Sequence, residues 1–138
     1  MIIEAIKNYF EKGCPLLEGR RLNINCLGEN PGSVSVDAVA SGEVVKEYAD
    51  GGALRQFVFT VSVRAPFDND AAENESTAIF MEKLKDWICF KADASELVLS
   101  GGGAFPIEFE VLKTPSVSRR DRSGTEHIIR ARLIYETV

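Results

Sequence analysis

The segment from Tyr48 to Arg64 constrains the fold more than any other part of the chain, because it has the pattern of a β-hairpin. Its second half alternates between apolar and polar side chains: Phe57, Phe59, Val61 and Val63 against Gln56, Thr60, Ser62 and Arg64, with Val58 as the apolar exception. Asp50-Gly51-Gly52 supplies residues that tolerate the positive φ of a tight hairpin turn. The segment Glu43 to Tyr48 is the expected partner strand. The pattern predicts a sheet with one core face and one largely solvated face.

Helical periodicity occurs in two places. Near the N-terminus the apolar residues Ile2, Ile3, Ile6, Tyr9 and Phe10 predict a helix, which Gly13-Cys14-Pro15 ends. A second helix is expected between Pro66 and Ala94, with Asp68-Asn69-Asp70 providing oxygens that cap its first turn. Its expected core face consists of Ile79, Phe80, Leu84, Trp87 and Ile88, together with Ala72 and Ser76. We expect Trp87 to be the anchor of helix-on-sheet packing.

The remaining periodic segments have the alternation of strands. They are Leu22 to Cys26, Ser33 to Val39, Ile107 to Val117 and Glu126 to Thr137, and a polar loop from Ser118 to Gly124 is expected between the last two. The element order α-β-β-β-β-α-β-β lacks a regular strand-helix-strand alternation. It predicts an α+β fold in which two helices pack on one face of an antiparallel or mixed β-sheet. We interpret residues 1–138 as a single domain.

Composition excludes several classes of protein. The 138 residues are 45% apolar and 27% charged, as in an ordinary folded domain, and the formal charge of -5 argues against a general nucleic-acid binder. No apolar run approaches the roughly 20 residues that span a bilayer, and the N-terminus lacks a signal-peptide pattern. We therefore expect a cytoplasmic protein with no membrane partner.

The residue types that usually carry chemistry do not form a recognisable site. Cys14, Cys26 and Cys89 have wide spacings, so we expect three buried thiols and no zinc centre. His127 is the only histidine, and it has the sequence context of a surface or strand-edge residue. The glycine-rich stretch at 100–104 lacks the residues of a phosphate loop, and the acidic residues at 68–75 fit the start of a helix. We predict no catalytic residue, no cofactor and no metal, and hence no enzyme.

Three arginines form the one concentrated basic patch: Arg119, Arg120 and Arg122. At the tip of a hairpin they could contact DNA phosphates or an acidic protein surface, or simply lie in a solvated loop. Arg130 and Arg132 would extend this patch along the next strand. A polar second sheet face would then be either solvated or an oligomer interface, and the sequence does not choose between these.

The hairpin Tyr48-Ala-Asp-Gly-Gly-Ala-Leu-Arg-Gln-Phe-Val-Phe-Thr-Val-Ser-Val-Arg64 resembles the corresponding segment of small minor capsid proteins of Firmicutes phages and prophages. The order of the other elements is similar to that family and to the tail-terminator proteins of long-tailed phages. The resemblance implies an α+β fold and a hexameric ring that ends tail-tube growth and joins the tail to the head.

The resemblance also implies roles for residues and partners. Arg55, Phe57 and Arg64 occupy its recognisable positions, without a catalytic task. Loops of a ring subunit face its neighbours and the pore, and the tip with Arg119, Arg120 and Arg122 is our candidate for one. The implied partners are other copies of the chain, the tail-tube and head-connector proteins, and DNA that passes through the pore. The implied location is the host cytoplasm during assembly and then the virion.

Two other classes stay open at this point. A small-molecule-binding or enzymatic α+β domain would use the concave sheet face under the second helix, with Cys89, Tyr135 or His127 nearby. A host regulatory or adaptor module is the third interpretation. Saturable stabilisation by a ligand would favour the small-molecule-binding or enzymatic domain. Genomic context would separate a host regulatory or adaptor module from a phage protein.

Overall fold

A computed structural model describes residues 2–28, 32–65, 71–99, 103–121 and 124–138, and at 71–74 and 118–121 it describes the backbone alone. The described helices are α1 (Ile2–Gly13) and α2 (Ala71–Asp86). The described strands are β1 (Asn23–Ile24), β2 (Val34–Ala38), β3 (Val44–Glu47), β4 (Ala53–Ala65), β5 (Ala104–Asp121) and β6 (Gly124–Thr137). A π-helical turn, Trp87–Lys91, follows α2, and short 3₁₀ turns lie at Pro15–Leu17 and Ala94–Glu96.

The strands form one mixed sheet in the order β1-β2-β4-β6-β5, and β3 pairs with β4 at the end that β2 does not reach. The β1–β2 pair is parallel and the other described pairs are antiparallel. Both helices contribute to the same buried cluster, which joins Ile6 of α1 and Leu84 of α2 to Phe59 and Ile129 of the sheet. The predicted α+β fold, with a mixed sheet and helices on one face, is confirmed.

The β3–β4 hairpin has the turn that its glycines predict. Gly51 has a φ of 92°, in the region that glycine adopts without a steric penalty. The Tyr48 N–H donates to the Gly52 carbonyl over 2.8 Å, and the Gly52 N–H donates to Asp50 Oδ1 over 3.0 Å. The strands then pair from Glu47 opposite Ala53. The predicted hairpin is therefore confirmed, and it fixes the register of β4 against its neighbours.

Helix α1 packs through its apolar face on an aromatic cluster. Phe10 is fully buried, and its ring centroid lies 5.4 Å from that of Trp87, 5.9 Å from that of Phe59 and 5.6 Å from that of Phe109. These pairs adopt the edge-to-face geometry that aromatic quadrupoles favour. Glu4 in the first turn and Lys12 in the last complement the helix dipole. The sequence predicted this helix. Trp87, which was expected to anchor a helix on the sheet, is buried, and its ring lies against those of Tyr9 and Phe10 in α1.

Helix α2 and the turn after it contact the core through part of the expected face. Leu84, Trp87 and Ile88 are buried as predicted, Met81 is buried in addition, and Ser76 is exposed. Met81, Leu84 and Ile88 have a spacing of three and four residues, which defines one helical face. Ile79 was expected on that face, but it is 47% exposed. It lies two residues from Met81, which places it about 200° around the helix. The expected capping residues 68–70 lie outside the described residues.

The second face of the sheet is not largely solvated, so this prediction was wrong. Val58, Thr60, Ser62 and Arg64 have exposed fractions between 1% and 8%. β4 is flanked by β2 on one side and β6 on the other, so its polar side chains are enclosed by those of two neighbouring strands. A period-two pattern identifies the two faces of a strand, but it does not say whether the strand is central in its sheet.

Two further expectations need correction. The first predicted strand is shortened to Asn23–Ile24, and Asn25, with a φ of 53°, ends its extended conformation. Of the three cysteines, only Cys14 is buried, whereas Cys26 and Cys89 are exposed. Burial raises the pKa of the Cys14 thiol.

Candidate functional site

Arg55 lies at the hairpin end of β4 in a network that joins two strands, β4 and β6, to the loop before β3. Its Nη1 is 3.3 Å from Glu43 Oε1, and its Nε donates to Thr137 Oγ1 over 3.0 Å. Tyr135 Oη donates to the same Glu43 oxygen over 3.0 Å. Burial, and then this hydrogen bond, raises the pKa of Tyr135 to about 12. The arrangement ties the β3 end of the sheet to β6.

Arg64 lies at the opposite end of the same strand. Nine residues of strand separate it from Arg55, a distance of about 30 Å. Its side chain is 8% exposed, and its Nε donates to the Gly28 carbonyl over 3.4 Å. Its Nη1 is buried and has no hydrogen-bond partner within the described part of the chain. The two arginines of the hairpin therefore cannot belong to one site of a single subunit.

The hairpin of β5 and β6 is longer than predicted. The segment from Ser118 to Gly124 was expected to be a loop, but β5 continues to Asp121 and β6 begins at Gly124. Backbone pairing continues to this end of the sheet, with Asp121 opposite Gly124. Strand geometry, set by pairing with β6, therefore overrides the polar composition of the segment.

The predicted tip arginines lie along this hairpin end. Arg119 and Arg120 are in β5, opposite Glu126 and Thr125, and their side chains lie outside the described residues. Arg122 also lies outside the described residues. The register places Arg64, Glu126 and Arg119 in one row across β4, β6 and β5. Two of the predicted contact residues, distant in sequence, thus share a row of the second sheet face.

Arg132 and Arg130 occupy the same face of β6 but have different surroundings. Arg132 donates through Nη2 and Nε to Glu110 Oε2 over 2.7 Å and 3.0 Å, and through Nη1 to Gln56 Oε1 over 2.8 Å. Arg130 is half-buried, and its Nε has no hydrogen-bond partner among the residues described. The basic stripe expected along β6 is therefore partly neutralised by its neighbours.

A carboxylate that the sequence did not single out lies at the centre of this face. Asp37 accepts hydrogen bonds from Ser35 Oγ over 2.6 Å, from Ser62 Oγ over 2.7 Å and, at 3.5 Å, from Thr60 Oγ1. Alternation along β2 puts Asp37 on the face opposite the buried Val34 and Val36, but only the β2–β4 register brings it to the hydroxyls of β4. This network explains how Ser62 and Thr60 are buried without losing their hydrogen bonds.

The three side chains considered for a ligand pocket do not converge. His127 is in β6, which lies between β4 and β5, so it is not at an edge of the sheet. It is half-buried, and its Nε2 is 3.0 Å from Thr125 Oγ1. It lines a cavity of about 380 Å³ that Met81 also lines. Tyr135 is eight residues further along β6, about 27 Å away at the rise of a strand. Cys89 is exposed in the turn that follows α2.

The comparisons with known proteins supply no identity for this arrangement. The sequence matches no protein-family model and no curated protein. Across the described ranges there is no cluster of three or more His, Cys, Asp or Glu side chains that could hold a metal ion. Neither described helix has the length and apolar character needed to cross a membrane.

Proposed function

We propose that this chain is a non-enzymatic structural protein of a phage virion, a tail-terminator or minor capsid subunit that forms a ring at the head–tail junction. The observation that carries the proposal is the hairpin of β3 and β4. The segment whose residues resemble the phage family has the hairpin turn, and its second strand is central in an α+β sheet with helices on one face. The hairpin turn and the central position of β4 support the resemblance to the phage family better than the residue pattern alone.

The surface of the described residues also suits a subunit that assembles. Exposed large apolar side chains, which often mark protein contacts when they lie near each other, occur on β3 and β5, in the turn after α2 and in the segment after the 3₁₀ turn Ala94–Glu96. They include Val44, Val45, Phe90, Val98, Phe105 and Ile107, each at least 44% exposed. A ring subunit needs two different surfaces of this kind, because each copy contacts one neighbour on either side.

The proposed ring has partners on both of its sides and a place in the virion. The chain would associate with other copies of itself, as a hexamer, and the ring would contact a tail-tube protein on one side and a head-connector protein on the other. DNA would pass through its pore. Assembly would take place in the host cytoplasm, and the finished ring would remain in the virion.

The first experiment measures the mass of the purified chain by light scattering over a range of protein and salt concentrations. We expect a species of about six times the monomer mass of 15.2 kDa, or a monomer that shifts towards it as concentration rises. Electron microscopy of that species should show rings. A chain that stays monomeric at every concentration and does not attach to purified phage tails would overturn the proposal.

The tip of the β5–β6 hairpin is the proposed contact with a neighbour, the pore or a partner protein. Reversing Arg119, Arg120 and Arg122 to glutamate should reduce ring formation or attachment to tails. The matched control reverses three exposed lysines elsewhere, Lys12, Lys83 and Lys91, which gives the same change of net charge. Equal behaviour of the two triple variants would show that the tip has no specific role in assembly.

A further inference from the structure

Three strands of the described part of the chain pair with one neighbour only: β1, which is two residues long, and the longer strands β3 and β5. β3 pairs with β4 alone, and β5 pairs with β6 alone. All four residues of β3 are exposed. An unpaired strand edge presents a row of backbone N–H and C=O groups, which another strand can bind by extending the sheet.

The free edges of β3 and β5 lie at the same position along the strand direction, on opposite sides of the sheet. Through β4 and β6, Lys46 is in the same row as Phe105, and Val44 is in the same row as Pro106. Three successive antiparallel pairings separate β3 from β5, so the two strands run in opposite directions. A second copy placed beside the first in the same orientation would therefore offer its β5 to this β3 as an antiparallel partner.

Both edges carry exposed apolar side chains. Val44 and Val45 on β3 are 44% and 46% exposed, and Phe105 and Ile107 on β5 are 56% and 45% exposed. Burial of such side chains would contribute hydrophobic free energy to the contact. Lys46 and Glu108 are both exposed and have no ion pair among the described residues.

The position of this charge pair also fits. Glu108 lies on the same sheet face as Lys46, two rows away from it. Diagonal neighbours on adjacent strands are about 7–8 Å apart, within reach of long side chains. A lysine on one edge and a glutamate on the other would favour two different edges over two identical ones.

We propose that β3 of one copy pairs with the first part of β5 of a second copy, so that the sheet continues from subunit to subunit. The proposal rests on the ring-forming function, because it names the surface by which the ring is built. Pro106 removes one backbone donor, and beyond Val111 β5 has three register shifts and Pro115, so pairing is confined to a short stretch. Each contact is weak alone, and ring closure holds every subunit through two of them.

Disulfide trapping between chains tests the proposal. Cys26 and Cys89, the two exposed thiols, are first replaced by serine. Chains with Val45→Cys are then mixed with chains carrying Ile107→Cys and oxidised gently. Within one chain the two edges are three strand spacings apart, about 14 Å. A disulfide needs Cα atoms within about 7 Å, so any bond between these positions links two chains.

We expect the mixture to form a linked pair of one chain of each kind, and neither variant alone to form a linked pair. The matched control replaces Val45→Cys by Val98→Cys, which is 86% exposed but lies outside the strands, and it should not link to Ile107→Cys. As a second measurement, Lys46→Glu should weaken association by about fivefold, and adding Glu108→Lys should restore it.

Two results would overturn the edge-pairing proposal. One is the absence of linkage in the mixture although light scattering shows the chain to be oligomeric, a result that leaves the ring function standing. The other is linkage within a single variant, which indicates pairing of identical edges in place of the proposed β3–β5 contact. A chain that is monomeric in light scattering and on phage tails would refute the ring function itself.

Discussion

Replacing Phe10 by alanine tests whether the aromatic cluster under α1 holds the helix layer on the sheet. The side chain is 0% exposed and contacts aromatic rings from β4, β5 and the turn after α2. Truncating a buried phenylalanine removes its transfer free energy and leaves a cavity, at a cost of about 3–5 kcal/mol. Because domains of this size are stable by about 5–15 kcal/mol, the variant should fold but lose a large part of its stability.

Phe90→Ala is the matched control, because it is the same chemical change at a position that is 80% exposed. A substitution at such a surface position should change the free energy of unfolding by less than about 0.5 kcal/mol. With a urea m-value of about 2 kcal/mol/M, the unfolding midpoint should fall by about 2 M for Phe10→Ala and by less than about 0.3 M for Phe90→Ala.

Tryptophan fluorescence during urea unfolding is the suitable assay. Trp87 is the only tryptophan, and its ring meets that of Phe10 at an interplanar angle of 88°. All variants should be compared at one protein concentration at which the chain is monomeric, because association stabilises the folded state and Phe90 is among the exposed apolar side chains that suit an assembly contact. Equal midpoints for Phe10→Ala and wild type, or equal losses for the two alanine variants, would refute the assignment of Phe10 to the core.

Three other predictions follow from the geometry. Gly124→Ala should destabilise the fold by several kcal/mol, because Gly124 has a φ of 136° and an added Cβ would collide with a backbone carbonyl of β4; Gly42→Ala, in open space, is the control in the same unfolding assay. Tyr135, whose pKa is raised from 10.0 to about 12, should stay protonated in the folded protein while unfolded chains ionise, so stability should fall from about pH 10 towards pH 12; Tyr135→Phe should lessen this fall in alkaline unfolding curves. In the native protein a thiol reagent should modify two cysteines rapidly, whereas the buried Cys14 should react only on unfolding; three rapidly reacting thiols would contradict its burial.

Local pattern was sufficient to predict the elements whose signals lie within one segment. The period of α1, its end at Gly13 and the turn around Gly51 depend on residues close in sequence, and the structure confirms them. The core face of α2 was predicted only in part. Ile79 is as apolar as Met81, and the face that contacts the sheet is decided by tertiary packing.

The arrangement of the candidate site depends still more on contacts between segments that are distant in sequence. Arg55 and Arg64 are close in sequence but lie at opposite ends of a 13-residue strand. Arg64 and Arg119 are far apart in sequence but share one row across the sheet. The importance of Asp37 likewise depends on which strand lies beside β2. Strand order and register are long-range properties, so period-two alternation could indicate these residues only as members of a face.

Arg130 and Arg132 show how far register decides the chemistry of that face. They are the same residue type on the same strand and face, two positions apart. Arg132 is opposite Val58 and Glu110 and binds a glutamate from β5 and a glutamine from β4, whereas Arg130 is opposite Thr60 and Lys113 and has a buried N–H with no partner within the described ranges. Exchanging the carboxylate and lysine of β5 would reverse these roles without altering β6. The charge that this face presents is therefore a property of the assembled rows, and variants designed to test it should change a residue together with its neighbour across the sheet.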